Sequence, residues 1–276
     1  MTLKQLYSKS SKDLSFTDCG EFEALCLFND LLGVKKENIY LDNKEASESD
    51  INIINNAVHR RKNGEPLQYI LGKWDFYDLT FKVGEGVLIP RPETEMLVDF
   101  ALEKLNGINN PIVYDLCAGS GCIGLTIAKH RPDATVFLLE KEESAYKFLC
   151  ENKEKLGIEN AVLINGDMFT LDISMLPCAN IILSNPPYIE TKEISGLQKE
   201  VLFEPVTALD GGADGLDFYR CLAKTWYRNV KSDGFIALEC GEEQSNSIID
   251  LFYGKYKEKQ VIFDFNNIDR IVTFRI

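Results

Sequence analysis

Apolar residues up to Gly72 recur at helical intervals, and the polar residues between them carry helix start and stop signals. Ala24, Leu25, Phe28, Leu31 and Leu32 form one run. Asp18 with Glu21 has the form of a capping box before it, and Gly33 follows as a stop. Ile51, Ile54 and Val58 repeat the one-face pattern behind Ser47 and Asp50, with Gly64 beyond. This region reads as short helices joined by charged loops, and it holds no residue set suited to chemistry.

The period changes between Gly72 and Pro90. Trp74, Phe76, Tyr77, Leu79, Phe81 and Val83, with the Gly84-Glu85-Gly86 turn, predict a β-hairpin. From Pro92 onward helical and buried-strand patterns alternate. Helices are expected over Glu93–Leu105, Ile123–His130, Glu143–Leu156, Asp217–Val230 and Gln244–Tyr253. Strands are expected over Ile112–Leu116, Thr135–Leu139, Ala161–Ile164, Ile181–Leu183, Phe235–Glu239, Gln260–Phe263 and Ile271–Ile276. Alternation of this kind implies an α/β protein, with a mainly parallel sheet covered by helices on both faces.

Composition narrows the classes. The 276 residues are 45% hydrophobic and 26% charged, which suits a folded domain with a real core. No run approaches the ~18 apolar residues of a membrane span, and the start lacks the apolar stretch of a secretory signal. Acids outnumber bases 43 to 30, a net charge of −13. That balance argues against affinity built on nucleic-acid phosphates. The eight cysteines show no Cys-x-x-Cys pair, so buried free thiols in a reducing cytoplasm are expected, with no metal site. His59 and His130 fall in predicted helices without ligand-spaced partners, and neither is given a catalytic role.

Candidate chemistry begins where the Ile112–Leu116 strand runs into Cys117-Ala118-Gly119-Ser120-Gly121 and then a helix. Glycines there let backbone approach a ligand, and the helix start offers N–H groups. Glu140 ends the next strand, where an acid can accept the two ribose hydroxyls of a nucleoside. Asp167 follows the third strand, where an acid can hold an adenine amino group while the Met168 N–H meets a ring nitrogen. Gly119-Ser-Gly121-Cys-Ile-Gly124 also fits the dinucleotide fingerprint literally. Asp115, four residues before the first glycine, instead suits a ligand carrying an ammonium group, such as S-adenosylmethionine.

The later motif favours the second cofactor. Ser184 is followed by Asn185-Pro186-Pro187-Tyr188 at the end of a strand. Two prolines make a stiff backbone whose carbonyls are free to accept. Asn185 and the Pro186 carbonyl can take the two hydrogens of a planar –NH₂, and the ring of Tyr188 can pack on its flat face. A conjugated nitrogen is a poor nucleophile, so holding it in line with a methyl donor matters. Orientation of this kind can contribute roughly 7–11 kcal/mol, and accepting its hydrogens favours the charge that develops on attack.

These residues resemble the bacterial release-factor glutamine methyltransferase (HemK/PrmC) family. The similarity runs from Pro66 to the C-terminus. It includes Pro66-Leu-Gln68-Tyr69-Ile-Leu-Gly72, Leu88–Glu95, the Asp115–Gly124 loop, Gly166-Asp167, Asn185–Tyr188, Phe203-Glu204-Pro205, Ala208–Gly212, Asp214–Arg220 and Leu238-Glu239-Cys-Gly241.

The resemblance implies a seven-stranded class I methyltransferase sheet with its last strand antiparallel. The helical region over residues 1–72, similar to the family only in kind, is read as a substrate-docking domain or a structural cap, followed by a β-hairpin linker over 73–90 and a methyltransferase domain over 91–276. The resemblance also implies transfer of methyl from S-adenosylmethionine to the glutamine amide in the Gly-Gly-Gln loop of release factors, by a cytoplasmic monomer without metal, leaving S-adenosylhomocysteine. By position, Cys117, Ala118, Gly119, Ser120 and Gly121 form the cofactor loop, Glu140 holds the ribose, and Asp167 and Met168 meet the adenine. Asn185 stands between cofactor and substrate. Pro186, Pro187 and Tyr188 hold the amide, and Arg91, Pro92, Glu93 and Thr94 line the same cleft. The family usually has Gly-Thr in place of Cys117-Ala118, Asp in place of Glu140 and often Trp in place of Met168.

Several rivals share parts of this pattern. A ribosomal-protein glutamine methyltransferase would carry overlapping signals. A DNA adenine methyltransferase would use a similar motif but needs a basic face. A non-catalytic nucleoside-binding protein would have no use for Asn185–Tyr188. A NAD-dependent dehydrogenase would need a proton-transfer residue near the cofactor.

Overall fold

The computed structural model describes residues 1–41 and 44–276. By the density of their internal contacts they form two units, Met1–Lys73 with Gln198–Phe203, and Trp74–Leu197 with Glu204–Ile276.

The first unit holds α1 (Leu3–Asp13), α2 (Gly20–Leu32), α3 (Lys36–Leu41), α4 (Glu48–Lys62) and α5 (Leu67–Leu71). Capping boxes open α1 at Thr2 and Gln5 and α4 at Ser47 and Asp50. The box expected at Asp18 and Glu21 does not form. Helix α2 starts later, behind Cys19, with no side-chain cap. Gly20 lies so close to the end of α1 that a Cβ there would stand 2.6 Å from the Leu14 carbonyl oxygen, and this approach sets the start. Leu6, Ala24, Leu27, Phe28 and Ile54 form the buried interior. Arg61, also buried, donates from Nε and Nη2 to the Glu23 carboxylate at 2.8 and 2.9 Å. Its Nη1 pairs with Glu200 at 2.8 Å, which ties the distant Gln198–Phe203 segment into this unit. Local sequence periodicity does not reveal that return of the chain.

The second unit takes up the chain at Trp74, within the hairpin β1 (Lys73–Phe76) and β2 (Leu79–Lys82). There follow α6 (Glu95–Lys104), β3 (Ile112–Leu116), α7 (Cys122–His130), β4 (Thr135–Glu140), α8 (Glu143–Leu156), β5 (Ala161–Asn165), β6 (Ala179–Ser184), α9 (Asp217–Lys224), β7 (Val230–Glu239), α10 (Ser245–Leu251), β8 (Glu258–Phe263) and β9 (Asp269–Arg275). Seven strands lie in the order β5-β4-β3-β6-β7-β9-β8. Pairings from β5 through β7 are parallel, and β9 runs antiparallel to both β7 and β8.

Strand residues alternate between two cores. Val113, Val136, Leu138, Ile181 and Leu183 face α6, α7, α8 and the hairpin. Tyr114, Leu116, Leu139, Ile182, Ile236 and Leu238 face α9 and α10. A sheet buried on both faces explains why its strands read as apolar runs.

Two expectations need correction. The helix predicted over Asp217–Val230 stops at Lys224, a tight turn spans Trp226–Asn229, and Val230 already belongs to β7. The turn aims Trp226 into the core, where its indole Nε1 donates to the Met168 carbonyl at 3.0 Å. The eight thiols are free, but Cys19 and Cys178 are exposed rather than buried.

Candidate active site

The chain enters the large sheet at β3, builds outward through β4 to β5, then returns to place β6 on the other side of β3. At such a reversal the loops leaving the two central strands diverge and open a crevice at their carboxyl ends. A cavity of about 300 Å³ lies there. Cys117–Ser120 after β3, Glu140 at the end of β4, Gly166–Phe169 after β5, and Asn185 with Pro187 after β6 line it.

The glycine loop is built tightly. Asp115, next to last in β3, is fully buried, and its Oδ2 accepts the Gly124 N–H at 2.8 Å. Gly124 is close enough to β4 that a Cβ would stand 2.6 Å from Leu138. Helix α7 can therefore start directly over the sheet. Burial raises the Asp115 carboxyl to about 7, and its Oδ1 has no partner among the described residues. Asp115 underpins the loop without lining the cavity. Cys117 takes a left-handed φ of 61°, uncommon for a residue with a Cβ. Its Sγ lies 3.6 Å from Met168 Sδ, and burial pushes the thiol pKa well up. Asn152 on α8 clamps the loop from outside: its Nδ2 donates to the carbonyls of Ser120 and Lys82, and its Oδ1 accepts the Lys82 N–H.

Glu140 reaches back across this loop. Oε2 accepts the Gly119 N–H and Oε1 the Glu142 N–H, each at 2.8 Å. Its carboxyl faces the cavity with two backbone donors already in place, although burial raises its pKa. Asp167 accepts from its own turn at Phe169 N and pairs with Lys141 at 3.1 Å. Met168 is buried against the second core, while Phe169 and Phe218 meet edge to face, 5.1 Å apart, on the cavity wall.

The opposite end is assembled from distant segments. Asn185 Nδ2 donates to Thr94 Oγ1 at 3.1 Å, and Oδ1 takes no donor among the described residues. Thr94 and Glu239, which ends β7, are both buried, and burial raises the Glu239 carboxyl to about 7. Arg91 forms an ion pair with the buried Glu204, whose other oxygen accepts the Ile89 N–H at 2.9 Å. Glu204 thereby holds Arg91 beside Pro205–Ala208, all on the cavity wall. Behind the Asn-Pro-Pro-Tyr segment, Ile189 N donates to the Leu209 carbonyl and Gly211 N to the Ile189 carbonyl. A Cβ on Gly211 would fall 2.8 Å from the Pro187 oxygen, so the Gly-Gly turn is a backing strip for the motif.

The structure thus gathers Arg91, Thr94, Cys117, Ala118, Gly119, Ser120, Glu140, Asp167, Met168, Asn185 and Pro187 around one cavity. Pro92, Glu93, Asp115, Gly121, Pro186 and Tyr188 stand outside its wall. Burial raises the Tyr188 phenol to about 12, and Gln244 Nε2 donates to the Tyr188 carbonyl at 2.9 Å. Sequence reading missed Asn152 and Phe218 as contributors.

Fold and site together define a class I methyltransferase. The hMettl16 catalytic domain in complex with a MAT2A 3′UTR hairpin superposes with a TM-score of 0.58 at 10% identity, over 83% of this chain and 82% of that one. The Thermus thermophilus 16S rRNA N2 G1207 methyltransferase, solved with AdoMet and guanosine, gives 0.52 at 17% identity, over 74% and 49%. At these identities both speak to the fold alone.

Sequence relatives are more particular. Residues 5–72 match the PrmC N-terminal domain and residues 94–212 the methyltransferase small domain. Proteins named release factor glutamine methyltransferase are 40% identical in Thermodesulfovibrio yellowstonii (89% of this chain, 88% of that one). In Clostridium acetobutylicum the figure is 37% (87% and 86%), and in Buchnera aphidicola 31% (98% and 97%). The chain belongs to the release factor glutamine methyltransferase family.

Proposed function

We propose that the protein transfers a methyl group from S-adenosylmethionine to the side-chain amide nitrogen of the glutamine in the Gly-Gly-Gln motif of peptide chain release factors. The observation that carries this reading is the free Oδ1 of Asn185 at the cavity wall, with its NH₂ group already committed to Thr94. An acceptor held in that polarity suits a planar –NH₂. The relatives' names favour a release factor over a ribosomal protein or a DNA adenine.

The cavity fits the cofactor chemically. Acidic side chains Glu140 and Asp167 stand on one stretch of wall, with apolar Ala118, Leu139, Met168, Phe169 and Phe218 beside them. That is the mix a ribose and a purine need, and the acids also suit a cationic sulfonium. When bound, the cofactor supplies a methyl group on a good leaving group. Glu140 would hold the ribose hydroxyls with its remaining lone pairs. Asp167 and the Met168 N–H would hold the adenine, beside the apolar surface of Phe169 and Phe218. Asn185 Oδ1 would accept one amide hydrogen and, as the motif suggests, the Pro186 carbonyl behind the wall the other, which favours the positive charge that develops on nitrogen during attack. Transfer would break the methyl–sulfur bond and leave S-adenosylhomocysteine, while the amide nitrogen would give up one proton to solvent as it gains the methyl. Arg91, held by Glu204, stands with Pro187 and Pro205–Ala208 where the rest of the glutamine enters. The helical unit, which carries no comparable cluster, is read as the docking part for the release factor.

The test is transfer of labelled methyl from S-adenosylmethionine to purified release factor, followed by mass mapping. Label on the Gly-Gly-Gln glutamine is the expected result. Label confined to a ribosomal protein or to DNA overturns the reading.

A further inference from the structure

Resting on that reading, we propose that Glu204 is a specificity-determining residue: by pairing with Arg91 it matches the charge of the one basic side chain at the reacting end, so that the cavity takes a neutral amide and turns away a carboxylate. Glutamine and glutamate side chains have the same shape, so cavity volume does not separate them. Charge and hydrogen-bond polarity must. Asn185 Oδ1 is an acceptor, which suits an NH₂ group and repels an oxygen anion. An unmatched arginine nearby would work the other way, because a guanidinium is a strong, geometrically matched partner for a carboxylate.

Arg91 is tied to the amide grip by short steps. Its carbonyl accepts the Thr94 N–H at 3.1 Å, and Thr94 Oγ1 accepts from Asn185 Nδ2 at 3.1 Å. Two basic side chains lie on the cavity wall among the described residues. The other, Lys141, follows Glu140 at the cofactor end and pairs with Asp167 at 3.1 Å. Arg91 uses Nη2 for Glu204, and its Nε and Nη1 have no hydrogen-bond partner among the described residues, with the side chain 35% exposed. Those donors are open to a ligand oxygen. Asp210, also on the wall, is an acid whose Oδ1 accepts from Thr191 Oγ1 at 2.7 Å and from the Gly212 N–H at 2.9 Å.

Glu204 is built to match that charge in place. It is buried, with one oxygen on Arg91 and the other accepting the Ile89 N–H at 2.9 Å. A single carboxylate thus fixes the chain on both sides of Pro90. Stability alone is a weak reason for such a pair, because desolvating two charges costs about what their attraction returns, and apolar residues of similar volume often do as well. The ion pair supplies something an apolar pair does not: an arginine that keeps its free donors while its charge is matched. A carboxylate in the cavity is drawn to Arg91 but opposed by Glu204, Asp210 and the Asn185 oxygen. A neutral amide meets no such opposition. Specificity is a difference of two affinities, and here it comes from penalising the wrong group.

The test uses the full chain and two forms of a release factor, one with Gly-Gly-Gln and one with glutamate in place of that glutamine. Calorimetry with S-adenosylhomocysteine present gives the dissociation constant of each form. Their ratio is the readout, because contacts away from the cavity cancel in it. The wild type should favour the glutamine form. Glu204→Gln should shift the ratio toward the glutamate form about tenfold, on the scale of one hydrogen bond to a charged group. Arg91→Leu combined with Glu204→Leu removes both charges and should return the ratio to within about threefold of wild type. The proposal is overturned by a wild-type ratio of about one, by a Glu204→Gln ratio within about threefold of wild type, or by a double variant that keeps the shifted ratio. Should Glu204→Gln not fold, Glu204→Met, of similar volume and without charge, is judged by the same ratio. A wild type that transfers no labelled methyl to the glutamine form removes the amide reading itself, a different result from an active enzyme whose ratio ignores Glu204.

Discussion

The two ends of the cavity are held by different means. At the cofactor end the polar groups are satisfied mainly by nearby backbone: Glu140 accepts two N–H groups, and Asp167 accepts one from its own turn. At the reacting end the side chains are held by other side chains far away in sequence. Asn185 and Thr94 are 91 positions apart, and Arg91 and Glu204 are 113 apart. The departures from the usual family residues, at Cys117-Ala118, Glu140 and Met168, all fall at the first end. A site built on backbone tolerates exchange of its side chains; a site built on a side-chain chain does not.

The largest expected effect tests the second half of that contrast. Asn185→Ala removes the acceptor aimed at the amide while leaving the glycine loop untouched. Methyl transfer should fall on the order of 10²–10³-fold, as when one preorganised hydrogen-bonding group is removed from a reacting centre. S-adenosylhomocysteine should bind within a few-fold of wild type. Loss of binding as large as the loss of rate would merge the two ends into one and break the comparison.

Beneath the cofactor end, Asp115 is predicted to cost stability in the ligand-free protein. Its folded pKa lies near 7, above the ordinary 3.8 of an aspartate. The folded state therefore holds this proton more tightly than the unfolded chain between those values. The associated stability is present below about pH 4 and is lost as pH rises through about 7. The loss is on the order of 4 kcal/mol, at about 1.36 kcal/mol per unit. Asp115→Asn keeps an acceptor for Gly124 N–H and removes the titration. Thermal unfolding of the variant should show a smaller drop between pH 5 and pH 8 than wild type does. An unchanged drop would mean the burial cost of Asp115 is already compensated.

Much of this was legible along the chain because the cofactor end is local. A strand, two glycines and a helix start lie within ten residues, and each acid stands at the end of an apolar run whose period is visible. The Asn-Pro-Pro-Tyr segment was legible for the same reason. Its support was not. Nothing near Asn185 announces Thr94, because strand order rather than sequence order brings β7 beside β6 and lays α6 across them. The same holds for Glu204, which looked like a loop residue and is the buried partner of Arg91. The Asp18 capping box failed for a related reason: a propensity read over four residues lost to the approach of α1 against Gly20. Local chemistry writes itself into the sequence as motif. Second-layer support depends on topology and has to be seen.

A middle-sized effect sharpens the first half of the contrast. Glu140→Ala strips the acceptor from two backbone donors and from the ribose hydroxyls. Hydrogen bonds to a charged group contribute about 1.5–3 kcal/mol, so cofactor affinity should fall about 10–100-fold. At saturating cofactor, kcat should remain within about threefold, because the grip on the amide is separate. A kcat loss that saturation does not restore would show that the glycine loop also sets the reacting geometry.

The smallest effect is the most direct test of tolerance at the cofactor end. Cys117 holds a φ of 61°, where a residue with a Cβ loses about 1 kcal/mol to steric strain that glycine avoids. Cys117→Gly relieves that strain but gives up the contact of Sγ with Met168 Sδ, and it adds backbone freedom to the unfolded chain. The three contributions oppose one another at similar size. Net stability should change by less than about 1 kcal/mol, and methyl transfer should stay within about threefold, far from the loss expected at Asn185. Binding calorimetry and single-turnover transfer on this one variant read both. A tenfold change in rate from a position whose backbone does the holding would show that side chains matter as much at the cofactor end as at the other.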